Sequence, residues 1–274
     1  MGRTRRPVAF LPAGQPLSRP LRDYPGEADT KKATRVLIHE IARDLWQVSH
    51  RPAGIAVGLA GDGAMDVGCL LHLLHFQARD ILMVDNRIDP AWAGERYGVR
   101  TSGKDLHLAL RESGEPISFA LLDFMGHMSR ITELAILEVG KRLPPGGILF
   151  FTFKRGRENG MGIMPRLYGD PHAPDVGRFA AYERHLKTLL PGPYERVGAV
   201  QYSRPSSPMG VLGLQKLGPG VVTDGRRRVL DRVRPETPTV IDYLNVHQCL
   251  SAERSRLCHL PDEALRLVFQ QPAA

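Results

Sequence analysis

Long apolar stretches are absent from this 274-residue sequence, and cysteine is scarce. No segment approaches the roughly eighteen apolar residues that a membrane-spanning helix needs, and the opening residues, MGRTRRPVAF, lack the apolar run of a secretory signal. The three cysteines are irregularly spaced, which does not indicate a disulfide framework. We therefore expect free thiols, no membrane partner and a cytoplasmic protein.

The sequence does contain enough apolar residues for a full core, together with an uneven positive charge. Hydrophobic residues make up 42% of the chain, and the net charge is +8. Arginine and lysine are concentrated in residues 1–36 and in DGRRRVLDRVR at 224–234. Such clusters bind phosphate backbones through counterion release, or they serve as solubilising surface. Under the first interpretation, the N-terminal arm and residues 226–234 would bind a nucleic-acid partner.

Apolar segments alternate with amphipathic ones between residues 30 and 155. A helix is expected to begin near Asp29 or Thr30, followed by the strands GIAVGLAG, DILMVDN, ISFALLDFM and GILFFTFKR with helices between them. Continuously apolar strands joined by helices are typical of a parallel sheet that is covered on both faces. The sequence therefore predicts an α/β fold with a doubly wound, mostly parallel sheet.

The pattern changes after residue 155. A polar, glycine-rich segment predicts a long loop beside the active site, and YERVGAVQYSRPSSPMGVLGLQKL predicts an antiparallel hairpin. We expect seven strands that end in this hairpin, and then a small helical C-terminal extension. The predicted divisions are an extended basic arm (1–29), a core domain (30–218) and the extension (219–274).

Glycines interrupt the chain after the first predicted strand, in the segment GLAGDGAMD. In a doubly wound sheet the ligand lies at the carboxyl ends of the strands where the strand order reverses, and glycines there let the backbone approach it. Asp85 ends the next strand, about twenty residues past the turn, a spacing at which a carboxylate can accept from both ribose hydroxyls. The alternative is that Asp85 only caps the following segment.

At this point the order of elements resembles the class I S-adenosylmethionine-dependent methyltransferases, over roughly residues 30–218. The resemblance is carried by GLAGDG, by ILMVDN, by GVRTSGKDLHLAL, by ALLDFMGH, by LPPGGILFFTF and by the closing hairpin. It implies S-adenosylmethionine as the cofactor and methyl transfer as the reaction. The resemblance leaves the acceptor undefined; nucleic acid is our first expectation, ahead of a small acidic metabolite.

The resemblance also implies residue roles. The glycine turn would hold the methionine part of the cofactor. The acid at the end of the second strand would bind the ribose, and the segment GVRTSGKDLHLAL would bind the adenine. The cofactor-binding residues implied in this way are Gly58, Gly61, Asp62, Gly63, Asp85, Asn86, Lys104 and Asp105. For Asp105 a helix N-cap is the alternative role.

Asp123 and His127 are the catalytic candidates, because they follow the fourth strand of the family pattern. They would orient or deprotonate the acceptor, and a solvated loop position is the alternative for His127. The first strand departs from the family because it does not end in an acidic residue, for which Asp62 is the candidate replacement. DFMGH also lacks the Asn/Asp-Pro-Pro pattern of amino-methylating DNA enzymes, and no Pro-Cys supplies a cytosine-attacking thiol.

Two other functional classes compete with an active methyltransferase. One is a methyltransferase-like module that has lost catalysis and binds nucleic acid or acts as a scaffold. The other is a nicotinamide-dependent oxidoreductase, which would require a stricter glycine fingerprint and a sixth parallel strand. A zinc site is not expected, because the series His247, Cys249, Cys258 and His259 lacks a short Cys-x-x-Cys knuckle.

Overall fold

The computed structural model describes residues 27–60, 65–86, 89–124, 126, 128–155, 178–204 and 207–241. Three predicted segments lie outside the described residues: the N-terminal arm, most of the loop after residue 155, and the helices beyond residue 241. The series His247, Cys249, Cys258 and His259 also lies outside them. The described ranges contain the whole sheet and seven α-helices.

Eight strands form a single sheet in the order β3-β2-β1-β4-β5-β7-β6-β8. Every neighbouring pair is parallel except the two pairs that β7 makes with β5 and β6. The strands are β1 (Ile55–Leu59), β2 (Ile81–Val84), β3 (Arg100–Ser102), β4 (Ile117–Leu122), β5 (Ile148–Lys154), β6 (Tyr194–Arg204), β7 (Ser207–Lys216) and β8 (Thr239–Ile241).

Helices cover both faces of the sheet, as continuously apolar strands require. The helices are α1 (Glu27–Ser49), α2 (Met65–His72), α3 (Ala91–Tyr97), α4 (Leu106–Ser113), α5 (Arg130–Arg142), α6 (Arg178–Leu189) and α7 (Asp224–Val233). Side chains from α1, α2, α3 and α7 pack in one core, and side chains from α4, α5 and α6 pack in the other. Side chains of β5 pack alternately in the two cores, with Phe150 in the first and Phe151 in the second.

The predicted fold class is confirmed, with one strand more than expected. The hairpin of β6 and β7 is antiparallel, and β7 occupies the place where a nicotinamide-binding sheet would have a parallel strand. β8 lies beyond residue 218 and extends the sheet beside β6, while α7 packs on α1. α1 begins at Glu27, ahead of the predicted cap. Within the described residues, no helix is both long and apolar enough to cross a membrane.

The basic cluster at 224–234 is only partly exposed. Arg226 is only 2% exposed, because its guanidinium is turned inward: Nε donates to Gln215 at 2.8 Å, and Nη1 lies 2.6 Å from Glu195. Arg232 is exposed but pairs with Asp44 of α1. Arg226 is therefore not exposed to a phosphate backbone, since its guanidinium is buried and its Nε and Nη1 contact other residues of the fold.

We expect Arg226→Met to lower the free energy of unfolding by about 1–3 kcal/mol, because the substitution leaves buried Gln215 without its donor. Arg227→Met removes the same charge from the next position, which is exposed, and is expected to change stability by no more than about 0.5 kcal/mol. Urea denaturation of both variants measures the difference. Equal stability of the two variants would contradict a structural role for Arg226.

Candidate functional site at the carboxyl edge of the sheet

The strand order reverses between β1 and β4, which are neighbours in the sheet. The chain moves from β1 outward through β2 to β3, and then returns to β4 on the other side of β1. Crevices at the carboxyl ends of the strands flanking such a reversal are the usual ligand sites of open α/β sheets. The residues that follow β1, β2 and β4 therefore define the candidate site.

The Arg35 guanidinium connects three elements at this edge. It projects from α1, and its Nη1 donates to Asp66 of α2 at 2.9 Å while its Nη2 donates to Asp123, just after β4, at 2.6 Å. Side-chain exposure is 7% for Arg35 and Asp123 and 1% for Asp66. Burial disfavours the charge, but the two carboxylates outweigh this effect and raise the pKa of Arg35 above its ordinary value.

Asp123 accepts hydrogen bonds on both carboxylate oxygens. Oδ2 lies 2.9 Å from Lys31 Nζ as well as near Arg35, and Oδ1 lies 2.9 Å from the Thr152 hydroxyl of β5. Burial alone would raise the pKa of Asp123, but Lys31, Arg35 and the hydroxyl together hold the pKa well below its ordinary value. A carboxylate with so low a pKa is a weak base near neutral pH. The structure thus favours orientation over deprotonation for this catalytic candidate.

Asp66 has an incomplete set of partners. The hydrogen bond from Arg35 goes to Oδ2; Oδ1 also lies 2.9 Å from Nη1, but it has no hydrogen-bond partner among the described residues. Burial outweighs the attraction of Arg35 and raises the pKa of Asp66 to about 6. Asp66 is therefore the less compensated of the two carboxylates that share Arg35.

His39 lies one turn beyond Arg35 on α1 and is completely buried. Its Nδ1 lies 2.7 Å from the Arg35 carbonyl oxygen, so Nδ1 carries the proton of the neutral ring and donates to that oxygen. The ring packs 5.0 Å from Phe119, centroid to centroid. Burial, followed by the nearby Arg35 charge, lowers the pKa of His39 to about 3. The imidazole is therefore neutral at physiological pH.

A second polar group lies at the ends of β2 and β3. Asn86 Nδ2 donates to Asp105 Oδ1, and the backbone N–H of Asp85 donates to Ser102 O at 3.1 Å. Asp105 occupies the N-cap position of α4, yet its side chain makes no capping hydrogen bond. The alternative role as a cap is therefore not supported by its contacts. Three of the predicted cofactor-binding residues, Asp85, Asn86 and Asp105, are thus brought together.

The remaining predicted residues are placed differently. Gly58 lies inside β1 rather than in the turn, where an added Cβ would come within 3.1 Å of the Met83 side chain. Lys104 lies just before α4, and its Nζ is 2.6 Å from both carboxylate oxygens of Glu112 in α4. The positive charge of Lys104 is therefore paired with a carboxylate of the protein. The other four predicted site residues lie outside the described residues: Gly61, Asp62, Gly63 and His127.

Sequence reasoning missed Lys31, Arg35, Asp66 and Thr152. A signal for two of them was present, because Lys31, Arg35 and His39 recur every four residues along the side of α1 that also carries apolar residues. Charged residues at core-facing positions of a helix are rarely buried without a partner. The partners themselves are 31 and 88 residues away in the chain, so the sequence pattern does not identify them.

No protein-family model matches the chain, and no curated protein matches it. Solved structures of similar fold include an rRNA methylase from Streptococcus thermophilus, with 15% identity and a TM-score of 0.44 over 66% of this chain and 95% of that one. They also include the N-methyltransferase NodS from Bradyrhizobium japonicum in complex with S-adenosyl-L-homocysteine, with 17% identity and a TM-score of 0.44 over 72% and 90% of the two chains.

His39 and Asp66 are expected to change stability with pH in opposite directions. The pKa of His39 is lowered to about 3, so its contribution to stability is present above its unfolded pKa near 6.5 and is lost as the pH falls toward 3. The pKa of Asp66 is raised to about 6, so its contribution is present below its unfolded pKa near 4 and is lost as the pH rises through 6. Between pH 4 and 6 the two contributions oppose one another.

We expect Asp66→Asn to make the unfolding free energy fall more steeply than in the unmodified protein as the pH drops from 6 to 4, by up to about 1 kcal/mol per pH unit. His39→Leu should change the slope by a similar amount in the opposite sense. Urea denaturation at pH 4, 5 and 6 gives both slopes. Parallel profiles for the two variants and the unmodified protein would show that neither group has a shifted pKa.

Proposed function

We propose that this chain binds S-adenosylmethionine along the carboxyl ends of β1, β2 and β4 and transfers its methyl group to an acceptor. The observation that carries the proposal is the group of Asp85, Asn86 and Asp105 at the ends of β2 and β3, beside the point where the strand order reverses. Two carboxylates within one such group suit a ligand that offers hydroxyl and amino hydrogens, as an adenine nucleoside does.

The roles of the three residues follow from their chemistry. The Asp85 carboxylate would accept from the two ribose hydroxyls. Asp105 would accept from the adenine amino group, with Asn86 fixing its orientation through the hydrogen bond that the two side chains already make. When bound, the cofactor supplies an activated methyl on a sulfonium, so the protein has mainly to align the acceptor with that methyl.

Asp123 would act on the acceptor by charge and position. Its carboxylate is fixed from two sides, by Lys31 and Arg35 of α1 and by Thr152 of β5. An acceptor that needs no strong base is therefore favoured. A non-catalytic module is the second proposal, since Lys31 and Arg35 already pair with this carboxylate. Transfer of a labelled methyl group to an added acceptor separates these two proposals.

Nucleic acid remains the proposed acceptor, with a smaller basic surface than the sequence predicted. Four arginines of the cluster are exposed. Arg232 pairs with Asp44, and the other three are Arg227, Arg228 and Arg234. Asp224, Asp231 and Glu236 are exposed among them, which weakens the local positive field. The basic arm, residues 1–29, would then make most of the phosphate contacts.

We expect isothermal titration calorimetry to detect binding of S-adenosylmethionine and of its homocysteine product. Asp85→Ala should weaken both by at least about tenfold, because hydrogen bonds to a charged carboxylate are worth about 2–4 kcal/mol as a pair. The matched control is Asp80→Ala, which removes a carboxylate at the amino end of the same strand, β2, and should leave affinity unchanged. The absence of heat with either ligand at millimolar concentration would refute the proposed cofactor.

Binding to RNA or DNA is expected to weaken steeply with salt, by roughly 0.7–0.9 log units of affinity per log unit of salt for each neutralised phosphate. Deletion of residues 1–26 should make this slope shallower, and so should neutralisation of the exposed arginines Arg227, Arg228 and Arg234. Neutralising three exposed arginines elsewhere provides the control: Arg79, Arg96 and Arg184. Filter binding at two salt concentrations decides the matter, and affinity that is absent at low salt or independent of salt would exclude nucleic acid.

A further inference from the structure

We infer that Asp66 holds the α-ammonium group of the cofactor's methionine part, through the carboxylate oxygen that accepts no hydrogen bond. This inference rests on the proposed cofactor and assigns to α2 a task for which the sequence had suggested Asp62 in the glycine turn. It concerns binding and does not require that the chain transfer a methyl group.

The first argument is the unpaired oxygen. Asp66 is 1% exposed, and its Oδ1 has no hydrogen-bond partner among the described residues, although buried carboxylate oxygens are nearly always hydrogen-bonded. Arg35 Nη1 donates to the other oxygen, Oδ2, and lies 2.9 Å from Oδ1 without donating to it. Oδ1 therefore remains available to a donor that the protein itself does not supply.

The second argument is the local charge. Asp66 faces Arg35 of α1, which it shares with Asp123, while Lys31 of the same helix pairs with Asp123 alone. The other titratable groups near Arg35 are Cys69 of α2, Tyr202 of β6 and the neutral His39. Lys31 also attracts Asp66 without forming an ion pair with it, and Asp123 repels it. Among the described residues, the one ion pair of Asp66 is thus shared with Asp123, and an ammonium with three donor hydrogens would supply a second.

The third argument is location. Asp66 lies in the first turn of α2, the helix that follows β1, and Arg35 links it to Asp123 across the reversal of strand order between β1 and β4. Asp85, Asn86 and Asp105 lie on the β2 and β3 side of the same edge. If those three residues bind the nucleoside of the cofactor, the amino-acid part of the cofactor would extend past β1, toward Asp66.

Two ligands separate this inference from the proposed function. S-adenosyl-L-homocysteine carries both the nucleoside and the ammonium, whereas 5′-methylthioadenosine carries the nucleoside alone. We expect Asp66→Asn to weaken binding of the first ligand at least about tenfold and to change binding of the second less than about twofold. Asp44→Asn, which removes a carboxylate from the far end of α1, is the control and should affect neither ligand. Binding of 5′-methylthioadenosine also reports that the variant is folded.

The same titration carries a second readout, the release of protons. At pH 6 about half of the Asp66 carboxyl groups are protonated in the free protein, and pairing with an ammonium favours the ionised form. Binding of S-adenosyl-L-homocysteine should therefore release about half a proton, measured from the heats in two buffers of different ionisation enthalpy. Asp66→Asn should abolish this release.

Each other outcome would overturn the inference. Unchanged affinity of Asp66→Asn for S-adenosyl-L-homocysteine, or no proton release by the unmodified protein, would refute the role of Asp66 and leave the proposed cofactor intact. An equal loss of affinity for both ligands would assign the effect to the fold. Failure of the unmodified protein to bind either ligand would remove the proposed function and this inference together.

Discussion

The arrangement of the candidate site depends on one buried cation, Arg35. Its guanidinium ties α1 to the start of α2 and to the end of β4, at the point where the strand order reverses. Removing one partner of a buried ion pair generally costs several kcal/mol, because it leaves an uncompensated charge. Here two carboxylates depend on the same guanidinium. Replacement of Arg35 would therefore disturb the position of α1 and the charge state of both acids.

The shared cation also gives the two carboxylates different properties. Asp123, with Lys31 and Thr152 as additional partners, has a pKa held far below its ordinary value. Asp66, whose one ion pair is with Arg35, has a pKa raised to about 6, chiefly by burial. Environments that separate the pKa values of neighbouring acids are typical of functional sites. The separation supports a division of tasks, with a fixed anion near the acceptor and a carboxylate available to a ligand cation.

The sequence predicted the fold wherever one local pattern determined one element. Continuous apolar runs gave β1, β2, β4 and β5, and the turn-rich segment between Tyr194 and Lys216 gave the hairpin. β8 was not predicted, and no segment was assigned to β3 among the seven expected strands, because each is three residues long and depends on pairing with a neighbour. Asn86 and Asp105 were chosen as candidates because their segments follow a family pattern. Arg35 and Asp66 were missed because their contacts form only when α1 packs across the carboxyl edge.

The central claim is that the cofactor lies along the carboxyl ends of β1, β2 and β4. Hydrogen–deuterium exchange with and without S-adenosyl-L-homocysteine tests it directly, residue range by residue range. The account predicts slower exchange in peptides covering residues 60–70, 84–90 and 102–110, and no change at residues 78–80, at the opposite end of β2. Protection confined to other parts of the chain, or no protection at saturating ligand, would contradict it.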